Sequence, residues 1–227
     1  IVQTFNDMHK KSILLSIFLI SSAFLLAQES NEIEKNVDKY LTYFSGENPG
    51  AVVAVYKKGE IIFNKAYGLA NVEQKTELHT GQLFNLRELS KAFTSMAIIK
   101  LAEKNKLNLD DNLTSIFTGF PEYEKQVKIK HLLNHTSGLE SFNEEEVSSA
   151  DELITFLKKQ DKVLFEPGSQ SKYSNSEYAL LAKIIEVKSG MAYTDFLRKN
   201  IYKKLKQNNN LLAHKVSKNA KVAVGHL

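Results

Sequence analysis

The spacing of apolar positions predicts a helix followed by a β-hairpin in the first part of the chain. Residues 30–44 carry apolar side chains three and four positions apart, which is typical of an amphipathic helix with one buried face. Residues 51–56 and 61–63 are rich in β-branched and aromatic residues, and the Lys57-Lys58-Gly59-Glu60 segment between them is typical of a hairpin turn. The stripe expected to be buried on the helix comprises Ile33, Val37, Tyr40, Leu41 and Phe44. We therefore expect one helix packed on two antiparallel strands.

The most apolar stretch of the chain, residues 92–102, predicts a helix in the interior of the fold. Only Thr94, Ser95 and Lys100 interrupt its apolar residues, so this helix is expected to be hydrophobic almost all round and buried. The first amides of a helix have no partner within it and attract negative charge, which makes a buried helix start a suitable place for chemistry. A polar cluster stands at this start, formed by Arg87, Glu88, Ser90 and Lys91.

The pattern predicts further helices in the second half of the chain. Residues 129–139 are typical of the end of a packed helix followed by a turn. Asn175 is a suitable N-cap for a helix over residues 176–188, which Gly190 ends, and another helix is expected over residues 193–205. The core-facing positions expected in the helix after Asn175 are Leu180, Leu181, Ile184, Ile185 and Val187.

Composition and charge argue against a nucleic-acid-binding protein. The 227 residues are 43% hydrophobic, enough for one domain with a core, and carry a formal charge of +4 from 30 basic and 26 acidic residues. The basic residues are dispersed, whereas nucleic-acid binding calls for a concentrated basic face with interleaved aromatic residues. The chain contains no cysteine and therefore forms no disulfide.

The N-terminal segment predicts export to the periplasm or beyond the cell. Two adjacent lysines precede an apolar run over residues 13–26, and cleavage after Ala27 would complete a signal peptide over residues 1–27. The run has 14 residues, fewer than the roughly 20 that span a bilayer, so no stable membrane span is expected after cleavage. Met8 directly precedes the lysines, which suggests that translation starts there. The folded domain is then expected within residues 28–227.

Three short motifs carry a resemblance to one family of enzymes. Residues 84–94 read Phe-Asn-Leu-Arg-Glu-Leu-Ser-Lys-Ala-Phe-Thr, and residues 131–139 read His-Leu-Leu-Asn-His-Thr-Ser-Gly-Leu. Tyr173-Ser174-Asn175 follows a Pro-Gly turn and precedes a predicted helix. In these motifs the chain resembles the serine β-lactamase and penicillin-binding family, in the branch of class C β-lactamases, D-amino-acid carboxypeptidases and related esterases. The resemblance implies an α+β fold of the β-lactamase/transpeptidase type, with an antiparallel sheet, helices and a largely helical subdomain.

The same resemblance implies roles for individual residues. In that family the serine of a Ser-x-x-Lys motif attacks an amide or ester carbonyl, while the lysine and a tyrosine transfer protons. By position, Lys91 matches the general base, Tyr173 the proton shuttle and Asn175 the amide that orients the substrate. Glu88 stands at the position of the nucleophile. The implied partner is a small-molecule or peptide ligand of the cell envelope, such as a β-lactam or a D-Ala peptide, and no cofactor or metal is implied.

Glu88 makes lost or impaired acyl transfer the expected outcome. A carboxylate that attacked an amide would form a mixed anhydride, which is no easier to form than to reverse. Glu88 and Lys91 are three positions apart, so on a helix they can form an ion pair. Such a pair lowers the pKa of the glutamate and raises that of the lysine, which then stays protonated and cannot act as a base. Activation of water by Glu88 is an alternative that these residues leave open.

Three interpretations of the site follow from these residues. The first is a hydrolase homologue without efficient acyl transfer, and the second is a non-catalytic envelope protein that binds a ligand in the same cleft. The third is an active hydrolase with another nucleophile. Ser90 would lie about 200° around a helix from Glu88, and the literal Ser-x-x-Lys at residues 169–172 lies in an expected turn. His131 and His135 could face one metal, but a packing role is favoured.

The chain is expected to be part of a longer protein. The family's third motif, Lys-Thr-Gly or His-x-Gly, does not follow in its expected place. In the family that region also supplies strands that complete the antiparallel sheet, and two strands seldom stand alone in water. Residues 28–227 are therefore predicted to be a partial domain that lacks its C-terminal strands.

Overall fold

The computed structural model describes residues 32–142 and 149–206. The chain divides into two compact units, with the division in sequence between Asn85 and Leu86. Residues 1–31 and 207–227 lie outside the described residues. They include the expected signal peptide and the suggested translation start at Met8.

The first unit contains one helix and two antiparallel ladders. Its elements are α1 at residues 32–40, a 3₁₀ turn at Thr42–Phe44, β1 at Ala51–Lys57, β2 at Glu60–Tyr67, β3 at Leu69–Asn71 and β4 at Thr76–Glu77. Strand β1 pairs with β2, and β3 pairs with β4. The pairing of β1 with β2 confirms the predicted hairpin. In its turn, Lys58 and Gly59 both have positive φ, 54° and 86°. This is the combination that a tight two-residue turn between right-twisted strands requires.

A polar cluster holds α1 to the hairpin. The Lys65 ammonium on β2 contacts carboxylate oxygens of Glu34 at 2.8 Å and Asp38 at 2.9 Å, and the Tyr67 hydroxyl donates to Asp38 at 2.7 Å. The hydrogen bonds from Tyr67 and then Lys65 lower the pKa of Asp38. The predicted packing of a helix on the hairpin is thus confirmed. Of the stripe expected to be buried, Ile33, Val37, Leu41 and Phe44 are half-buried. Tyr40 is 81% exposed, because the α-helix gives way there to a 3₁₀ turn that breaks the 3.6-residue spacing.

The second unit is helical. Its α-helices are α2 at Ser90–Glu103, α3 at Ile129–Leu133, α4 at Ala150–Leu157, α5 at Asn175–Ser189 and α6 at Tyr193–Leu197. Shorter turns of 3₁₀ or π-helix lie at Arg87–Leu89, Leu113–Ser115, Glu122–Gln126 and Arg198–Tyr202. Helix α5 packs against α2, α3, α4 and α6, so it is the centre of this unit. Gly190 ends α5 with φ of 69°, a left-handed conformation that glycine adopts without strain.

The core of this unit is built mainly from α2 and α5. Fully buried side chains on α2 are Ala97, Ile98 and Leu101, and those on α5 are Leu180, Leu181, Ile184 and Ile185. Two predictions of burial are wrong. Met96 and Ile99 on α2 are 46% and 42% exposed, so this helix buries one face only, and Val187 on α5 is 48% exposed. Apolar residues therefore continue past the buried face of each helix onto its exposed side.

The described residues show no sign of a membrane-spanning helix. None of the helices within residues 32–142 and 149–206 is long and apolar enough to cross a bilayer.

Candidate active site

The starts of α2 and α5 bring the predicted site residues together within the second unit. Lys91 lies in the first turn of α2, Asn175 is the first residue of α5, and Tyr173 lies two residues before Asn175. The two helices also contact each other one turn further along, where the Ser95 and Tyr178 hydroxyl oxygens are 3.0 Å apart. Residues more than 80 positions apart in the chain thus share one polar site.

Lys91 is the centre of this site. Its ammonium donates to the Tyr173 hydroxyl at 2.7 Å, to the Asn175 Oδ1 atom at 2.7 Å and to a carboxylate oxygen of Glu88. A protonated lysine has three N–H donors and no acceptor, so these three partners match its hydrogen-bonding capacity. The side chain is only 19% exposed. The observed geometry is therefore that of a charged, fully engaged lysine.

Glu88, in the turn that precedes α2, accepts hydrogen bonds from two members of this network. The carboxylate oxygen that pairs with Lys91 also accepts a hydrogen bond from the Tyr173 hydroxyl. The Glu88 side chain is 63% exposed, so one end of the network faces solvent. Tyr173 consequently accepts a hydrogen bond from Lys91 and donates one to Glu88. Lys91 and Tyr173, the two groups expected to transfer protons, are therefore both hydrogen-bonded to the Glu88 carboxylate.

The electrostatics of the site confirm the predicted ion pair. Hydrogen bonds from Lys91 and then Tyr173 hold the pKa of Glu88 below its usual value. Burial lowers the pKa of Lys91, but the hydrogen bonds to Glu88 and Tyr173 outweigh burial, and the net shift is upward. At neutral pH the site therefore contains a carboxylate and an ammonium.

Two aromatic rings add to the stabilisation of the Lys91 charge. Its Nζ atom lies 4.9 Å from the centroid of the Tyr173 ring and 5.5 Å from that of Tyr178. A cation within about 6 Å of such a ring is attracted by the ring quadrupole. The role of Tyr178 was missed by sequence reasoning, although Asn175 and Tyr178 are three positions apart and so share one face of α5.

The expected N-cap role of Asn175 is wrong. The N-cap residue of α5 is Ser174, and Asn175 is the first helical residue. The Asn175 side chain contacts Lys91 instead of capping the helix. The local sequence does not predict this contact, because Lys91 is 84 positions away and asparagine before a helix is equally typical of an N-cap.

The other serine and histidine candidates are not among the three hydrogen-bond partners of Lys91. The Ser169 hydroxyl donates to the Glu166 carbonyl oxygen at 2.6 Å within a turn, and Ser90 is exposed at the start of α2. His131 and His135 have different partners: the first accepts from the Lys128 amide at 3.2 Å, and the second contacts a glutamate of α5. Within the part of the chain that the structure describes, no group of three or more metal-ligating side chains could hold an ion.

The residue before Glu88 has a strained backbone. Arg87 has a φ of 43°, in the left-handed region that residues with a Cβ atom adopt at a cost of roughly 1–2 kcal/mol. We expect Arg87→Gly to raise the free energy of unfolding by about 1 kcal/mol, since part of the relief is offset by the greater freedom of glycine in the unfolded chain. Urea denaturation would measure the change.

A control for this prediction is available at the other end of α2. Lys104 follows α2 with a φ of −90°, where glycine relieves no strain. Lys104→Gly should therefore leave stability unchanged or lower it. Equal stabilisation by both substitutions would show that strain at Arg87 is not the cause.

Comparisons with known proteins identify the family. A sequence profile of the Beta-lactamase family matches residues 32–226, so the chain belongs to that family. It is 37% identical over 162 residues to penicillin-binding protein 4* of Bacillus subtilis, an alignment that covers 67% of this chain and 35% of the relative. The predicted resemblance to serine β-lactamases and penicillin-binding proteins is confirmed.

Solved structures confirm the fold class. The structure is similar to the octameric penicillin-binding protein homologue from Pyrococcus abyssi, with a TM-score of 0.73 and 28% identity, covering 87% of this chain and 48% of that one. A β-lactamase/D-alanine carboxypeptidase from Yersinia pestis gives the same TM-score of 0.73, with 25% identity, covering 87% of this chain and 59% of that one. The chain thus has a β-lactamase/transpeptidase-like fold and spans about half the length of these relatives.

Proposed function

We propose that this protein is a β-lactamase-related serine hydrolase homologue in which acylation by the Ser-x-x-Lys route is blocked. The observation that carries the proposal is the position of the Glu88 carboxylate, which stands where the family has its serine and engages both Lys91 and Tyr173. The roles of Lys91 as former base, Tyr173 as former proton shuttle and Asn175 as substrate-orienting amide remain predictions from the family pattern.

The chemistry of acyl transfer explains why this arrangement should block the reaction. A serine attacks only when a base removes its proton, and here neither the hydroxyl nor a free base is in place. The ion pair keeps Lys91 protonated, and the lowered pKa of Glu88 makes this carboxylate a poor base for activating water. Attack by Glu88 itself would yield a mixed anhydride, which returns to reactants as readily as it forms.

A second candidate function is ligand binding without turnover. It is favoured by one observation: Lys91, Tyr173 and Asn175 are still held together by hydrogen bonds of 2.7 Å although the nucleophile is replaced. If a ligand carboxylate displaced Glu88 from Lys91, these groups would offer a cation, a phenol and an amide to a small molecule or peptide with carboxylate and amide groups. The D-alanine carboxypeptidase among the similar structures suggests a D-Ala peptide of the cell envelope.

Covalent labelling tests the proposal on the whole natural protein that carries this sequence. We expect no adduct with a fluorescent penicillin and no hydrolysis of nitrocefin or a p-nitrophenyl ester. Saturable binding of a D-Ala-D-Ala peptide in calorimetry, without product, would support the second candidate. A covalent adduct located by peptide mass spectrometry on any residue of the natural protein would overturn the proposal.

The cellular location is also a proposal. If residues 1–27 act as a signal peptide, the mature protein should begin at Gln28 and occur in the periplasm or the medium. N-terminal sequencing after cell fractionation would measure this. A cytoplasmic protein that retains the apolar run would contradict it.

A further inference from the structure

The turn after α3 places His135 directly against the segment that carries Tyr173. The His135 carbonyl oxygen accepts from the Lys172 amide at 2.9 Å, and its Nδ1 atom lies 3.3 Å from the Ser174 amide nitrogen. Its ring lies against the Tyr173 ring, with centroids 4.7 Å apart, and against the Tyr178 ring at 5.2 Å. One residue thus contacts the backbone on both sides of Tyr173 and the ring of Tyr173 itself.

The orientation of the His135 ring is in turn fixed by a buried carboxylate. Glu177 on α5 is only 2% exposed, and one of its oxygens lies 2.5 Å from His135 Nδ1. The other oxygen accepts from the Ser137 hydroxyl at 2.5 Å and from the Ser137 amide at 3.3 Å. Three groups thus hold this carboxylate at the start of α5, and its contact fixes the direction in which His135 Nδ1 points.

The backbone at His135 has a left-handed conformation. Its φ is 57°, a value that few residues other than glycine adopt, although histidine does so more often than most. Such strain persists only where surrounding contacts over-determine the conformation. The contacts present here are those to Lys172, Ser174, Tyr173 and Glu177.

We infer that His135, oriented by Glu177, is a positioning residue for Tyr173. Through its ring contact and its contacts to the backbone on both sides of Tyr173, it sets the location of the phenol that hydrogen-bonds to Lys91. The consequence for acyl transfer rests on the function proposed above, whereas the positioning itself is a property of the natural site. This gives a role to the motif at residues 131–139, for which the sequence favoured packing over a metal site.

The first arm of the test uses the whole natural protein and does not depend on activity. Tyrosines labelled with ¹³C at the ring would be observed by NMR, with the Tyr173 resonance assigned from Tyr173→Phe. His135→Asn suits the left-handed backbone and keeps a polar side chain but removes the ring. We expect the Tyr173 resonance to shift and broaden in His135→Asn and, more weakly, in Glu177→Gln.

The second arm measures acylation in the Glu88→Ser background. We expect His135→Asn to lower the acylation rate constant about 10- to 100-fold with little change in ligand affinity, since small misplacements of a proton-transfer group have effects of this size. His131→Asn is the matched control, because His131 lies in the same motif but accepts from the Lys128 amide away from Tyr173. It should leave both the resonance and the rate unchanged.

The outcomes separate this inference from the proposed function. An unchanged Tyr173 resonance in folded His135→Asn would overturn the inference, and so would a loss of thermal stability with no change in the resonance or the rate per folded molecule. If Glu88→Ser never acylates, Glu88 is not what blocks acyl transfer and that part of the proposed function fails, but the NMR arm still decides whether His135 positions Tyr173.

Discussion

Glu88→Ser is expected to turn a protein that does not label with penicillin into one that forms a covalent acyl-enzyme. The substitution supplies the missing hydroxyl and removes the carboxylate that pairs with Lys91. Without that partner, burial of Lys91 acts to lower its pKa, which favours the neutral amine that can serve as a base. Tyr173 and Asn175 are already 2.7 Å from the lysine, so the expected proton shuttle and the expected substrate-orienting amide need not move.

The expected gain is large because the members of a catalytic group act together. Removal of one such member from a serine hydrolase typically lowers kcat by roughly 10⁴- to 10⁶-fold. Because the site has not been optimised around the new serine, Glu88→Ser is expected to recover only part of this loss in rate. We therefore expect an increase in acylation rate of about 10³-fold or more. Time-resolved labelling with a fluorescent penicillin, on the whole natural protein, would measure the rate.

Two variants separate the restored nucleophile from other effects of losing the charge. Glu88→Ala removes the carboxylate without adding a hydroxyl and should remain unlabelled. Glu88→Ser combined with Tyr173→Phe should label much more slowly than Glu88→Ser alone. Labelling of Glu88→Ala at the same rate as Glu88→Ser would show that another residue is the nucleophile. Silence of Glu88→Ser, despite intact folding and ligand binding, would show that the site binds ligands but is not arranged for acyl transfer.

Local sequence signals predicted several of the elements and the residues around Lys91, although not Tyr178. The two β-rich runs joined by Lys57-Lys58-Gly59-Glu60 predicted the hairpin, because glycine readily supplies the positive φ that such a turn requires, here 86° at Gly59. The Tyr173-Ser174-Asn175 motif and Lys91 predicted a shared site through the family pattern, and the structure brings these residues together. Helical spacing identified the four fully buried apolar residues of α5.

Contacts between distant parts of the chain could not be predicted in this way. Asn175 carries a strong capping signal, yet its side chain contacts Lys91, 84 positions away. The pairing of His135 with Glu177 joins residues 42 positions apart and is visible only once α3 and α5 are packed. An apolar run such as residues 92–102 predicts a helix, but it does not predict how much of that helix is covered.

A further property that sequence could not reveal is the complete burial of Glu124. This residue lies in the 3₁₀ turn at Glu122–Gln126 and is 0% exposed, and neither carboxylate oxygen makes a regular hydrogen bond. The adjacent Tyr123 hydroxyl donates instead to the Leu157 carbonyl oxygen at 3.0 Å. Burial raises the pKa of Glu124 from 4.5 to about 7, and Tyr123 offsets only part of this rise.

This carboxyl group should make the stability of the protein fall as the pH rises. Between pH 4.5 and about 7 the folded protein keeps a proton on Glu124 that the unfolded chain has released, so unfolding releases a proton. The stabilisation is therefore complete below about pH 4.5 and is lost as the pH passes through about 7. A rise in pKa from 4.5 to about 7 corresponds to about 3 kcal/mol of unfolding free energy.

Glu124→Met is therefore expected to stabilise the protein at pH 8 by about 2–3 kcal/mol and to have little effect at pH 4.5. Methionine has a similar shape, adapts to irregular spaces and carries no group that burial penalises. Denaturant unfolding of the natural protein and the variant from pH 4.5 to 8 would measure the difference, in which the contributions of other titrating groups cancel. Glu122→Gln is the matched control in the same turn, because its side chain is 83% exposed and should change stability by less than about 0.5 kcal/mol. Parallel pH profiles for the natural protein and Glu124→Met would show that Glu124 is not the group whose protonation stabilises the fold.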